Sequence, residues 1–185
     1  MSPEESRKAA VDAARLLLRE EGIAAVTLKA VGARIGRTHA NLLHHFGSVD
    51  GLHAALADAI AHDVADSITG SVGRYRAGKT KLRHVVEEMF DAFRDQGFGE
   101  LIAWVVVSRR RESLAAVESA VADVVRAITA EGDDRPLDKA TLGLVLLAIG
   151  DSLVGEEIAR ATGLPHSAAH DIAVTQILGV LGELR

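Results

Sequence analysis

The sequence predicts an all-α chain of about nine helices, with a three-helix helix-turn-helix unit at the N-terminus and a larger helical domain after it. Three observations lead there. Apolar residues recur at i, i+3, i+4 and i+7 along nearly the whole chain, alternating β-branched runs are missing, and glycine or polar clusters interrupt the pattern at helix-length intervals. With 185 residues, 48% of them hydrophobic, the chain can bury a substantial core. The expected division is residues 1–50 for the helix-turn-helix unit and 51–185 for the rest, joined by a helix over about 49–69.

Helix 1, about 4–21, carries Val11, Ala14, Leu17 and Leu18 on one stripe and stops at Gly22, the residue type that best tolerates a left-handed cap. Helix 2 opens at Thr27, an N-cap residue, and turns Leu28, Val31 and Ile35 inward before Gly36. A short third helix occupies about 38–45, and helix 4 opens after Ser48 with Leu52, Leu56, Ile60, Val64 and Ile68 at spacing four, ending near Gly70. The stretch GSVGRYRAGK, 70–79, lacks periodicity and reads as a mobile connection. Helix 5 has the cleanest amphipathic series, from Leu82 through Val85, Val86, Met89, Phe90 and Phe93.

Helix 6 spans about 98–108 and ends at the charged run Arg109–Arg111. Helix 7 starts at Ser113 and places Leu114, Val117, Val121, Val125 and Ile128 on one side, and a break follows at 131–136. Helix 8, about 137–162, is apolar nearly all round between Leu142 and Ile149, which calls for burial against more than one partner. Helix 9, about 167–184, sets Val174, Ile177, Leu178, Leu181 and Leu184 beside Thr175, Gly179 and Gly182, small enough to let another helix approach closely. Helices 8 and 9 are therefore expected to pair with their symmetry mates in a twofold homodimer.

Charge is uneven along the chain. The net charge is -5, yet residues 1–53 carry seven Lys and Arg against six Asp and Glu, which makes the N-terminal quarter the plausible nucleic-acid end. His39, His44, His45 and His53 would add to it if protonated. The absence of cysteine excludes disulfides, thiolate chemistry and cysteine-bound metal. No run of apolar residues is long enough for a membrane span, and MSPEESRKAA lacks the apolar core of a signal peptide, so a cytoplasmic location is expected. Neither a Ser/His/Asp arrangement nor a phosphate-binding glycine loop is present, so no catalytic role, cofactor or metal is expected.

The stretch VTLKAVGARIGRTHANLLHHFGSVDGL, residues 26–52, offers two short helices joined at Gly36, the second rich in small polar side chains. A tight glycine-containing turn lets a second helix cross the first and protrude into a major groove about 12 Å wide. Residues 7–56 resemble the N-terminal signature of the tetracycline-repressor (TetR) family, T-T-x-x-x-I-A-x-x-A-G-V-S-x-G-x-L-Y-x-H-F-x-S-K-E-x-L. Thr27, Val31, Gly36, Thr38, Leu42, His45, Phe46, Ser48, Asp50 and Leu52 carry the match. Leu43 stands where the family has Tyr, Val49 where it has Lys, Arg37 where it has Val, and Ala40 where it has Gly. The changes at 43 and 49 remove phosphate contacts, and Arg37 supplies one cation.

The resemblance implies a repressor that binds double-stranded operator DNA as a homodimer and is released by a small-molecule effector. It gives Thr27, Thr38 and His45 backbone-positioning roles, and Arg37, His39, Asn41 and His44 base or phosphate readout. It also implies a pocket among helices 5 to 8, for which His84, Met89, Phe93, Trp104 and Asp151 are the candidate lining residues. Because only 3% of residues are aromatic, an aliphatic or amphipathic effector is favoured. Two other readings remain open: a helical interaction module with weakened DNA binding, motivated by Leu43 and Val49, and a metal-binding helical protein using His166, His170 and Asp171.

Overall fold

The computed structural model describes residues 2–108, 114–129 and 135–182. Among these, every regular element is helical. The expected cap Ser113, the run Arg109–Arg111, most of the break at 131–136 and Leu184 lie outside the described residues.

Helix α1 (Pro3–Glu21) begins on a capping box: Ser2 Oγ accepts from Glu5 N at 3.1 Å while the Glu5 carboxylate accepts from Ser2 N. It ends where Gly22 takes φ +81° and its N–H donates to Leu18 O. A single 3-10 turn (Ile23–Ala25) leads to α2 (Leu28–Arg34), α3 (His39–Phe46) and α4 (Val49–Arg76). Then come α5 (Leu82–Arg94), α6 (Phe98–Val107), α7 (Ala115–Ile128), α8 (Leu137–Thr162) and α9 (Ala168–Val180). Helices α1 and α3 pack against α4 while α2 is held by α1 and α3, α7 lies along α4, and α5 is enclosed by α4, α8 and α9. The buried apolar residues form one continuous cluster from Ala10 of α1 to Ile177 of α9, with Leu52, Leu56, Ile60 and Ile68 of α4 running through it.

Helix α4 differs from the sequence reading. It does not stop near Gly70 but continues to Arg76, so residues 70–76 are helix and not a mobile connection. Ile68, Val72 and Tyr75 extend its apolar stripe at helical spacing. Ser71 is buried, and its hydroxyl donates to the Glu88 carboxylate and accepts from Arg74. Tertiary burial on this face outweighs the low helix propensity of Gly70 and Gly73, both exposed. The chain instead turns after Arg76, with Gly78 at φ +68°.

Asp151 anchors the other side of the bundle. Its side chain is only 3% exposed, and a carboxylate at that depth needs a partner. Arg94 of α5 donates to Asp151 Oδ2, tying α5 to α8. His166 Nε2 lies 3.5 Å from the same oxygen, and Oδ1 has no partner among the described residues. Replacing one member of such a pair strands the other. Arg94→Met is expected to cost about 3 kcal/mol, and Arg94→Met with Asp151→Leu to recover most of that loss. Urea unfolding at one fixed protein concentration measures both; equal losses in the single and double variants would contradict the pairing.

Candidate nucleic-acid interface and ligand cavity

The geometry of α2 and α3 follows from cap chemistry and one close backbone approach. Thr27 Oγ1 accepts from Ala30 N at 3.1 Å and starts α2; Thr38 Oγ1 accepts from Asn41 N at 3.2 Å and starts α3. Between them Arg37 N donates to Gly32 O at 2.8 Å, and Gly36 takes φ +65°. Gly32 is buried, and a Cβ there would stand 2.7 Å from Arg37 O, so only glycine lets the turn fold back this tightly. Leu42 and Phe46 fix the rotation of α3 by entering the core, and that rotation leaves His39, Ala40, Leu43 and His44 outward, beside exposed Arg37 and Thr38.

Asn41 and His45 depart from this outward set. Asn41 is half-buried, with Oδ1 enclosed and unpartnered, so bidentate pairing with a base requires its side chain to rotate. His45 is half-buried with its ring at the edge of Phe46, centroids 6.5 Å apart. Its carbonyl accepts from Arg7 Nη1 at 3.0 Å, and the Arg7 guanidinium sits 4.8 Å from the Phe46 ring centroid. Arg7 thus holds the end of α3, a role no local sequence signal announces because the partners are 38 positions apart.

Helix α4 is pressed against this unit. Ser48 Oγ accepts from Gly51 N at 3.1 Å, and a Cβ on Gly51 would fall 1.9 Å from Phe46 O, so the first turn of α4 abuts the end of α3. His53 is buried, and its Nε2 donates to Val26 O at 2.8 Å, fastening α4 to the segment before α2. Burial pushes the His53 pKa below the ordinary histidine value, partly opposed by that hydrogen bond. His53, with its pKa lowered, does not supply the positive charge that protonation would have added to the N-terminal quarter.

Residues 10–56 match the family model described as bacterial regulatory proteins, tetR family. Over these residues the N-terminal unit is TetR-like. A solved structure described as multidrug binding protein EbrR complexed with imidazole shares the overall fold, with a TM-score of 0.63 and 17% identity over 96% of this chain and 90% of that one. A search of curated proteins finds no match. Among the described residues, no helix is long and apolar enough to cross a membrane.

Behind the TetR-type domain, two apolar cavities lie between α4, α5, α7 and α8. The larger, about 80 Å³, is walled by Ile68, Val72, Tyr75, Leu82, Val85, Met89 and residues of α7, α8 and α9. The smaller, about 30 Å³, adjoins it across Ile68, Met89, Val124 and Thr141 and reaches Phe93 and Phe98. Met89 and Phe93 accordingly face cavity space. His84 does not: its side chain is 70% exposed and bonds to Glu87, because it lies on the polar side of α5. Trp104 is 43% exposed on α6 and lines neither cavity. Asp151 faces a separate groove between α8 and α9. The α4 residues Val72 and Tyr75 escaped the sequence reading because their segment read as a linker.

His170 packs on Phe90 at 4.2 Å between centroids and feels the charge of Asp151, the carboxylate that His166 Nε2 approaches to 3.5 Å. Among the described residues, no group of three His, Asp or Glu side chains is placed to hold a metal ion.

The domain and the cavity region meet where α1 ends. Glu100 of α6 accepts from Ile23 N at 2.9 Å through Oε1, and Gly97, at φ +71°, lies so close to Leu18 that a Cβ would stand 2.8 Å from Leu18 Cγ.

The depressed pKa of His53 has a defined consequence for stability. The unfolded chain binds this proton more readily, so the contribution of His53 is fully present above about pH 6.5 and is lost as pH falls through the folded-state value. His170, also lowered by burial, acts in the same direction. His53→Gln, which retains an N–H donor for Val26 O, is expected to flatten the decline in stability between pH 7 and pH 5, by no more than about 1.4 kcal/mol per pH unit. An unchanged slope in urea titrations would show that His53 does not titrate in that window.

Proposed function

We propose that the chain is a dimeric transcriptional repressor that reads an operator with α3 and releases it when a small molecule enters the cavity beneath α4. The outward face of α3 is the observation that carries this reading. Arg37, His39 and His44 bring donors to one exposed surface, and Thr38 at the N-terminus of α3 stands where a phosphate oxygen would be favoured. Ala40 and Leu43 add an apolar strip between them, suited to thymine methyl groups. Leu43, read in the sequence as a lost phosphate contact, on this view becomes a base contact. The half-buried Asn41 contributes after a side-chain rotation, and His45 positions α3 through Phe46.

The homodimer is supported by what α8 and α9 leave uncovered. Leu142, Leu146, Leu153, Val154 and Ile158 of α8 and Ile172 of α9 are all exposed, a contiguous apolar surface of the kind that marks an interface. Pairing α8 and α9 with their mates would cover it and set two α3 helices for successive half-sites. The sensor reading is supported by the cavity and by the Glu100 and Gly97 contacts, through which a displacement of α5 or α6 would reach the end of α1. The solved structure of the same fold is titled a multidrug binding protein, which agrees with a ligand-holding helical domain here.

Gel shifts with DNA from upstream of the protein's own gene test the reading. Arg37→Ala is expected to weaken binding by about 1–3 kcal/mol if it contacts a base, or to reduce the salt slope by about one unit if it contacts a phosphate. Equal affinity for random DNA would overturn the repressor assignment, and a monomer by light scattering would overturn the dimer.

Coupling is tested at Glu100. Glu100→Ala removes the acceptor of the Ile23 N–H and is expected to cost about 1–3 kcal/mol and to speed amide exchange at Ile23, with Glu100→Gln restoring most of the protection. Unaltered exchange at Ile23 in the alanine variant would sever this route between the two regions.

A further inference from the structure

We infer that the effector is an unbranched aliphatic chain with a polar group at one end at most, recognised by its hydrocarbon body along the length of the paired cavities. The inference rests on the sensor reading above and names the chemistry of its ligand.

The wall rewards no polar group inside. Among the described residues, the polar side chains lining the two cavities are Tyr75, Arg76, Arg135 and Thr141, and each is already engaged. The Thr141 hydroxyl, buried in the wall that both cavities share, donates to Leu137 O at 2.8 Å. Arg76 donates to the Ile128 carbonyl at the end of α7, and Tyr75 and Arg135 have interactions of their own. A hydroxyl or amide carried along the cavities would exchange its water for groups that are already bonded, at a loss of about tenfold in affinity or more. A polar group at one end of a chain escapes this loss by staying at the mouth, where Arg76 and Arg135 are exposed to solvent. Two polar ends cannot both do so.

The direction of the space decides the shape of the body. Helix α4 contributes Ala61, Val64, Ala65 and Ile68 to the smaller cavity and Ile68, Val72 and Tyr75 to the larger. The two together therefore follow α4 from position 61 to position 75, about 21 Å of helix at 1.5 Å per residue. Their volumes, about 30 and 80 Å³, are each smaller than the ~150 Å³ apolar cavity that accepts benzene, so the length comes without width. Ile68, Met89, Val124 and Thr141 line both and form the boundary between them. Three of these are β-branched and stiff, whereas Met89 is unbranched with several rotatable bonds and is the side chain there best able to yield. A chain one methylene wide needs that one side chain to move. A branched or cyclic body of the same size needs the stiff residues to move as well, at the cost of overpacking.

Octan-1-ol, its branched isomer 2-ethylhexan-1-ol and octane-1,8-diol, compared by calorimetry and thermal shift on the full chain, read shape and polarity apart. The isomers carry the same atoms, so transfer out of water alone separates them little. Octan-1-ol is expected to raise the melting temperature, to bind about fivefold tighter than the branched isomer or better, and to bind about tenfold tighter than the diol. Ala120→Leu narrows the smaller cavity alone; it should weaken octan-1-ol about three- to tenfold and leave butan-1-ol, short enough for the larger cavity, within about twofold. The melting temperature of the free variant is its folding control. Thr141→Val should leave octan-1-ol unchanged. Equal binding of the two isomers, a diol that binds as well as the alcohol, octan-1-ol indifferent to Ala120→Leu, or a loss at Thr141→Val each overturns the assignment. Release of operator DNA by the branched isomer or the diol and not by octan-1-ol would leave the sensor reading standing and remove the linear chain. Octan-1-ol that follows the expected ranking but leaves DNA binding untouched would keep the chain and remove the sensor reading.

Discussion

Helix α4 is a single uninterrupted rod, and both ends of the molecule depend on that continuity. Its 28 residues span about 42 Å at 1.5 Å per residue. At the first turn Gly51 abuts the α3 terminus and His53 holds the segment before α2; at the last turns Ser71, Val72 and Tyr75 belong to the cavity region. Packed interiors do not deform continuously, so on the sensor reading a displacement at Val72 would reach Gly51 as a tilt of the rod. Were the helix broken at Gly70, the cavity would lose a wall and the domain its lever.

Where the chemistry is local, the sequence was legible. Thr27, Thr38 and Ser48 each accept from a backbone N–H three residues on, so residue type and spacing within one turn are enough to place three helix starts. The resemblance placed Arg37, His39, Asn41 and His44 on the reading face; with Leu42 and Phe46 inward, the phase of α3 leaves His39 and His44 outward but Asn41 half-buried. What failed was the weighing of local against tertiary terms. Gly70 and Gly73 lower helix propensity by roughly 1 kcal/mol each, yet the stripe Ile68, Val72, Tyr75 buries enough to prevail, and that stripe was readable at the same spacing. His84 shares its face with Glu88 and Asp91 and was misplaced by ranking side-chain chemistry above helical phase. Arg7 on the His45 carbonyl and Gly32 against Arg37 are non-local or purely geometric, and no pattern of residue types encodes them.

Electrostatics around the TetR-type domain is finer than its net charge suggests. With His53 buried and its pKa lowered, the positive surface rests on a few arginines and lysines, of which Arg34 is engaged by Glu20 and Glu21 on α1. Burial and salt bridging spend charge on assembling the domain instead of on DNA. A reader with few free cations leans on base-edge contacts for a larger share of its affinity, because the sequence-independent phosphate term is small. On the proposed reading the exposed strip of Ala40 and Leu43 would belong to that logic, since it offers nothing to a phosphate backbone and could discriminate only where a thymine methyl lies opposite. Weak general attraction and methyl-dependent contact together favour selectivity over tight non-specific binding.

Any effector can shift the molecule only by the difference between its affinities for the DNA-competent and released states. In the described arrangement the two cavities are small and share Ile68 of α4, Met89 of α5, Val124 of α7 and Thr141 of α8 in their walls, so a ligand that fills both must displace side chains at that shared boundary. The state that accommodates the ligand best is therefore one in which α4 and α7 stand further apart. On the proposed reading, separating them would move the rod whose far end carries Gly51 and His53, and with it the spacing of the two α3 helices in the proposed dimer. A guest small enough to leave Met89 in place would bind without that difference and would leave the operator occupied. Responsiveness on the sensor reading is set by how far a guest reaches past Met89.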